Sequence, residues 1–367
     1  MKRVYVSCGE ASGEVQAALL LERLARIVPD LAVAGIGGER LRAAGVRLRR
    51  DNRGWASLGP ISALAKIPKL LAIMWLETLA IVRDPVDLVL LVDFGAFNLR
   101  LAQSLRRLGY RGAIAYYFPP SAWLDRPQTA REVARTTTPI IPFQHQRDFY
   151  RSLGLDAAYF GHPLASVIEE LPARPVPPPD GGTVALLPGS RSQELGFHVP
   201  RLIAATALLR ESRPRLRAIF AAHDDAAARR LSAEAAQHDI EVLVGARAAL
   251  CQADVAIVAS GTAVLEAALL GVPSVALYVL SEAQARIARR VYHGRFVTPP
   301  NLVAHEEILP ELLQEEATPE RLAAAAAPLL ESEAAQRMRE GYRRMRARLG
   351  TPETLDRIAS FVAEMMA

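Results

Sequence analysis

Two series of short apolar runs, each run followed by a helical stretch, flank one proline-dense interruption. This alternation limits the fold more than anything else in the chain. Strand-like runs occur at Val4–Cys8, Ala32–Ile36, Leu88–Asp93, Ile114–Phe118 and Ala157–Phe160, with helical stretches such as 16–26 and 99–108 between them. Runs apolar on both faces fit a parallel sheet covered by helices. Residues 169–182, EELPARPVPPPDGG, then hold five prolines and end on two glycines, so neither a helix nor a central strand continues through them. The rhythm resumes at Val184–Leu187, Arg217–Ala221, Glu241–Val244, Val255–Ala259 and Ser274–Val279. Later, Thr318-Pro-Glu and Thr351-Pro-Glu each set a hydroxyl before a proline and an acid, the signature of a helix start. The expected architecture is α/β, with a first domain at 1–168, a proline-rich linker at 169–182, a second domain at 183–350 and a closing helix at 351–367 that can cross back to the first. Doubly wound sheets bind ligands beyond the carboxyl ends of their strands, so a site in the cleft between the domains is expected.

Composition narrows the function classes. Apolar residues at 51% and charged residues at 23% are ordinary globular usage, which excludes disordered and disulfide-scaffold chains. Cys8 and Cys251 form no metal-ligand pair. The net charge is +5, and lysine occurs only at Lys2, Lys66 and Lys69, so the basic excess is almost all arginine. With aromatics at 6% there is no stacking platform for bases, and no nucleic acid partner is expected. The opening MKRVYVSCGEASGE reads as a first strand rather than a signal peptide, and a cytoplasmic setting follows as the default. One stretch is unusually apolar: 61–83, ISALAKIPKLLAIMWLETLAIVR. It is too interrupted to span a bilayer. Two readings stay open, a buried helix and an interfacial one. In the second, Leu70, Leu71, Met74 and Trp75 enter lipid while Lys66 and Lys69 meet anionic headgroups.

Three strand-to-helix turns carry the chemistry. Asp93, in VDFGAFN, ends a very apolar strand, where a carboxylate is costly to bury unless something uses it; an ordinary capping carboxylate is the alternative. In LLPGSRSQE, Gly189, Ser190 and the forked guanidinium of Arg191 suit a diphosphate. In ASGTAVLE, Ser260, Gly261 and Thr262 suit phosphate, and Glu266 lies a turn further on, within reach of a ribose diol. Gly9–Glu14 makes a similar turn after the first strand. Gly35-Ile36-Gly37-Gly38 is half of a dinucleotide fingerprint, with Arg40 where its last glycine belongs, and no nicotinamide site is expected. The histidines show no metal-ligand spacing.

These pieces, with GIGGERLRAAG at 35–45, IPKLL at 67–71, PPSAW at 119–123, FGHPLA at 160–165 and PPNLVAHEEILPELLQEE at 299–316, resemble the lipid-A-disaccharide synthase family in order and spacing along nearly the whole chain. The resemblance implies a GT-B fold of two Rossmann-like domains. It implies an inverting transfer of an acylated glucosamine from a UDP-2,3-diacylglucosamine donor to lipid X, giving a β-1′,6-linked disaccharide and UDP. No metal or other cofactor is implied. Asp93 then matches the family's general base and Arg191 the counter-charge to the leaving UDP. Ser260, Gly261, Thr262, Glu266 and Asn301 match nucleotide-binding positions. Glu10, Ser12, Ser121, Trp123 and Asp125 fall on the acceptor side of the cleft, and His162 matches a histidine that shapes it. Peripheral attachment to the anionic inner face of the cytoplasmic membrane is implied, and a homodimer is left open. The chain departs from the family pattern at Ala96 and Ser62, where acids are usual, and in the PPSAWLDR stretch. Three alternatives follow: a divergent enzyme on another UDP-sugar or acceptor, a UDP-sugar epimerase, and a non-catalytic lipid or nucleotide binder.

Overall fold

The computed structural model describes residues 1–9, 11–52, 55, 60–120, 126–172, 175–292 and 294–367. These form two compact units, Met1–Ser166 with Leu349–Ala367, and Val167–Arg348. The first holds β1 (Lys2–Cys8), β2 (Leu31–Gly37), β3 (Arg47–Asp51), β4 (Leu88–Val92), β5 (Ala113–Tyr117), β6 (Thr138–Ile141) and β7 (Ala158–Tyr159). They lie in the order β3-β2-β1-β4-β5-β6-β7, and every pair is parallel. The second holds β8 (Thr183–Leu187), β9 (Arg217–Ala222), β10 (Glu241–Val244), β11 (Val255–Ala259), β12 (Ser274–Tyr278) and β13 (Glu311–Leu313), ordered β10-β9-β8-β11-β12-β13, again all parallel. This is the GT-B pair of doubly wound α/β domains. In each sheet the strand order reverses beside the first strand, between β1 and β4 and between β8 and β11, and that is where such sheets open a binding crevice.

The central strands are fully buried. Every residue of Leu88–Val92 has no exposed surface, and each such side chain contributes about 1.5–3 kcal/mol of burial. Three strands escaped the apolar-run criterion. β3 is RLRRD, a charged edge strand; β6 is only four residues and contains Pro139; β13 has three residues. Two expected strand ends are turns instead: Asp93 and Phe118 leave the sheet in the left-handed region, at φ 50° and 56°.

The Thr354–Glu364 helix begins later than its Thr-Pro-Glu signature suggests, and Thr351 stands in the turn before it as a donor rather than as its cap. The Thr351 N–H donates to Thr354 Oγ1 at 2.9 Å. This helix packs on the Ala11–Ile27 helix of the first unit. Arg23 and Asp356 approach to 3.4 Å, and the Phe160 and Phe361 rings meet at 5.4 Å. In the second unit the proline-rich stretch is strapped down. Arg213 donates to the carbonyls of Pro178 and Gly181 at 3.1 Å each.

The Pro60–Arg83 helix corrects one expectation. Met74 faces the core of the first unit at 4% exposure rather than lipid, and Leu70 and Leu71 pack half-buried against the same core. The reason is Glu77, completely buried one turn on. Its carboxylate accepts from Arg49 at 2.7 Å, Arg50 at 3.1 Å and the Tyr5 hydroxyl at 3.2 Å. That ion pair fixes which face turns inward, and Met74 shares it with Thr78 and Ile81. Trp75 stays half-exposed, with Ile67, Leu76 and Leu79 also open, and Lys69 is exposed. The Lys66 side chain lies outside the described ones. Among the described residues no helix is long and apolar enough to cross a membrane.

Candidate functional site

At the switch point of the first unit the chain after β4 makes a strained turn. Asp93 and Phe94 both adopt left-handed backbone, at φ 50° and 52°, a conformation that costs non-glycine residues of order 1–3 kcal/mol each and persists only where surroundings impose it. The surroundings are a buried amide. Asn98 Nδ2 donates to the carbonyls of Asp93 at 2.9 Å, Ser7 at 3.1 Å and Val92 at 3.2 Å, while its Oδ1 accepts from the Ser7 hydroxyl at 2.6 Å. Tyr116 adds a donor to the Asp93 carbonyl at 3.0 Å. Burial, then the nearby Asp93 carboxylate, push the Tyr116 hydroxyl well up, so it stays protonated. The Asp93 carboxylate accepts from the Phe94 N–H at 2.9 Å and is half-buried. The turn after β1 closes on this one. A Cβ on Gly13 would stand 2.9 Å from Cys8 Sγ and 3.3 Å from Asp93 Cβ, so only glycine lets the helix start there. Beside it Glu14, 5% exposed, accepts from Asn52 at 2.6 Å.

Glu10, Ser121, Trp123 and Asp125 lie outside the described residues, as does the Ser12 side chain. Asn98, Ser7, Glu14 and Asn52 were not singled out by sequence. Glu14 closes the Gly9–Glu14 turn and Asn98 the VDFGAFN stretch, and the polarity of Asn98 on an otherwise apolar helix face was the available sign.

At the switch point of the second unit, Gly189 turns at φ 104°, and Arg191 precedes the Ser192–Ser212 helix. The Glu194 carboxylate folds back onto this turn. It accepts from the N–H groups of Ser190 and Arg191 at 3.2 Å each and from the Arg191 guanidinium at 3.0 Å. Those two backbone donors are therefore occupied, and an anion here would meet the guanidinium and the first-turn N–H groups that a helix leaves unpaired. Tyr278, at the end of β12, sits beside this pair; burial, then Glu194, raise its hydroxyl pKa while Arg191 lowers it. Below the turn, fully buried His198 joins two strand ends. Its Nδ1 bonds the Pro188 carbonyl at 2.7 Å and its Nε2 accepts from the Val279 N–H at 3.0 Å. A ring bonded this way is neutral, with its proton on Nδ1, and burial lowers its pKa. Glu194, His198 and Tyr278 were invisible as site residues in the sequence.

After β11, Ser260 donates its N–H to Leu277 at 2.9 Å, and Gly261 leads into the Thr262–Leu270 helix. Ser260, Gly261, Thr262 and Glu266 are all partly exposed there. Asn301 is a correction. It is completely buried, its amide donates to the Leu309 carbonyl at 2.9 Å and Glu311 at 2.8 Å, and its oxygen accepts from Ile308 at 2.8 Å and Leu309 at 3.1 Å. Two donors and two acceptor sites are all an asparagine side chain offers, so the Asn301 side chain ties a loop and has no hydrogen bond to spare.

A family model described as lipid-A-disaccharide synthetase matches residues 4–365. The lipid-A-disaccharide synthase of Myxococcus xanthus is 36% identical over 381 residues, covering 99% of this chain and 97% of its own. That of Prochlorococcus marinus is 34% identical over 398 residues, covering 100% and 99%. Among solved structures, UDP-GlcNAc 2-epimerase from Neisseria meningitidis bound to UDP-GlcNAc aligns with a TM-score of 0.65 at 12% identity, over 99% of this chain and 100% of that one. The calicheamicin glycosyltransferase aligns at 0.55 and 16%, over 100% and 98%. The distant structures share the fold; the sequence match, running from the first strand into the last helix, decides the family. The chain belongs to the lipid-A-disaccharide synthase family of GT-B glycosyltransferases.

Proposed function

We propose that this chain moves the acylated glucosamine of UDP-2,3-diacylglucosamine onto the 6-hydroxyl of lipid X, forming a β-1′,6-linked disaccharide and UDP. The observation that carries the reading is the carboxylate of Asp93, held in a strained turn at the switch point of a family member's first unit. In the proposed step the acceptor oxygen bonds to the anomeric carbon and Asp93 takes the hydroxyl proton. The anomeric C–O bond breaks on the opposite face, which inverts that centre, and its electron pair leaves on the β-phosphate of UDP. Arg191 balances the charge that develops there, and Ser260, Gly261, Thr262 and Glu266 hold the nucleotide. With the guanidinium and helix N-termini in that role the step needs no metal, and turnover is expected to be the same with or without EDTA.

The half-exposed Trp75, with Ile67, Leu76, Leu79 and Lys69, supports a peripheral seat on an anionic membrane, where both lipid substrates reside. The test is UDP release on purified protein with the defined donor and acceptor. Wild type turns over, and Asp93→Asn loses about 10²–10⁴-fold in kcat. Wild-type turnover with an unimpaired Asp93→Asn would remove Asp93 from the base role. UDP release without acceptor, or 2-epimerised product, would point to the soluble sugar-nucleotide chemistry instead.

A further inference from the structure

The transfer scheme above leaves one buried titratable ring without a task. His162 lies just past β7, and its N–H donates to the Leu349 carbonyl at 2.8 Å. The ring meets Phe118 edge-on, with centroids 5.3 Å apart, and Phe143 at a 38° tilt and 5.2 Å. Only 3% of the residue is exposed. The Leu164 N–H donates to Nδ1 at 3.2 Å. A ring nitrogen that accepts must present its lone pair, so the proton of the neutral ring sits on Nε2. Burial lowers the pKa to about 3, and the ring stays neutral at any ordinary working pH. Nε2–H is therefore a fixed donor, neither a base nor a cation.

Among the described residues nothing accepts from that N–H. The residue is nearly withdrawn from water, yet this nitrogen is not sealed off, so an acceptor can reach it from outside, and native proteins seldom keep such a donor without a use. Its neighbourhood supplies the use. Phe118, which touches the ring, follows Tyr117, whose carbonyl receives the Asp93 N–H at 3.0 Å. His162 thus stands on the same row of strand ends as the proposed base, three strands along the sheet.

We propose that His162 Nε2–H binds a neutral oxygen of the acylated sugar, a hydroxyl or an acyl carbonyl, at the strand ends of the first unit. The assignment deepens the transferase reading and rests on it. A neutral donor suits an uncharged oxygen and offers nothing extra to phosphate, so the residue selects for the sugar and its acyl linkage.

The experiment compares wild type with His162→Phe, which keeps a ring among Phe118 and Phe143 but has no donor, and with His162→Gln, which restores an N–H at similar reach. UDP release gives kcat/KM, thermal melting gives stability, and calorimetric titration with lipid X in detergent micelles gives binding. The Phe variant melts no lower than wild type, yet loses about tenfold in kcat/KM and in lipid X affinity. The Gln variant recovers to within about threefold. The ratio of wild type to Phe variant stays constant between about pH 6 and pH 8, because the donor does not titrate there. Wild-type kcat/KM in the Phe variant overturns the proposal. So does an equal loss in both variants with a lowered melting temperature, which marks packing alone, and so does a ratio that swings across that pH range. A wild type that releases no UDP defeats the transferase reading instead. His162 is then judged on lipid X binding, where equal or undetectable affinity in wild type and Phe variant overturns it.

Discussion

At the scale of single residues, the first unit shows how a reactive group is held by groups that do not react. Asp93 could be picked out in the sequence because a carboxylate ending an apolar strand has few bland explanations. Asn98 could not, because what makes it matter is the convergence of three carbonyls from two strands, and no linear pattern encodes that. Replacing Asn98 with Ala leaves those carbonyls and the Ser7 hydroxyl without their partner. The cost expected is about 2–4 kcal/mol, at about 1–3 kcal/mol per stranded buried group with partial rescue by water. Urea titration reads it, and kcat falls with it as the Asp93 turn relaxes. His162 sets a pH dependence of a definite sign. Its folded pKa of about 3 lies below the unfolded value of about 6.5, so the unfolded chain binds the extra proton. Its stabilisation is full above about pH 6.5 and is lost as pH falls toward 3, at about 1.4 kcal/mol per pH unit. Between about pH 7.5 and pH 5 the urea midpoint of wild type falls more than that of His162→Gln.

Among the elements, the Pro60–Arg83 helix marks where sequence reading stopped short. Its composition said apolar nearly all round, and periodicity cannot orient such a helix. The orienting fact is the lone interior acid, which is recognisable only once the RLRRD strand is known to lie against it. That strand was missed because an edge strand rich in arginine resembles a loop. An Arg49→Ala, Arg50→Ala double variant leaves Glu77 buried with no countercharge and is expected to cost about 3–5 kcal/mol; either single change costs far less, since one partner remains. Guanidinium denaturation distinguishes the cases. On the opposite face, Trp75→Asp sets a charge where the proposed lipid contact lies. It should reduce sedimentation with anionic vesicles several-fold while leaving the melting temperature near wild type, because Trp75 is half-exposed. An unchanged vesicle-bound fraction would remove that face from membrane attachment. The PNL stretch taught the reverse lesson: Asn301 looked like a ligand residue by resemblance, and counting its hydrogen bonds shows none left to give.

For the whole molecule, the alternation of runs was enough to foresee two doubly wound sheets, because a parallel strand must be buried on both faces and announces itself as a run. Which stretch completes which sheet was less legible, since that depends on contacts between residues hundreds of positions apart. The Thr354–Glu364 helix buries Leu355, Ile358, Ala359 and Val362 in the first unit. A variant ending at Arg348 should lose on the order of 5 kcal/mol of that unit's stability. Trp55, Trp75 and Trp123 all fall within Met1–Ser166, so tryptophan fluorescence in urea follows this unit selectively, and an unmoved midpoint would refute the expectation. The same return of the chain has a consequence during synthesis. Residues 349–367 reach the ribosome only after all of 167–348, so the unit whose strands are translated first is the last to receive its final helix. Until then the Ala11–Ile27 helix lacks its covering partner on the nascent chain. The second unit needs nothing from either end and can close in the meantime, so the folding order runs opposite to the order of translation.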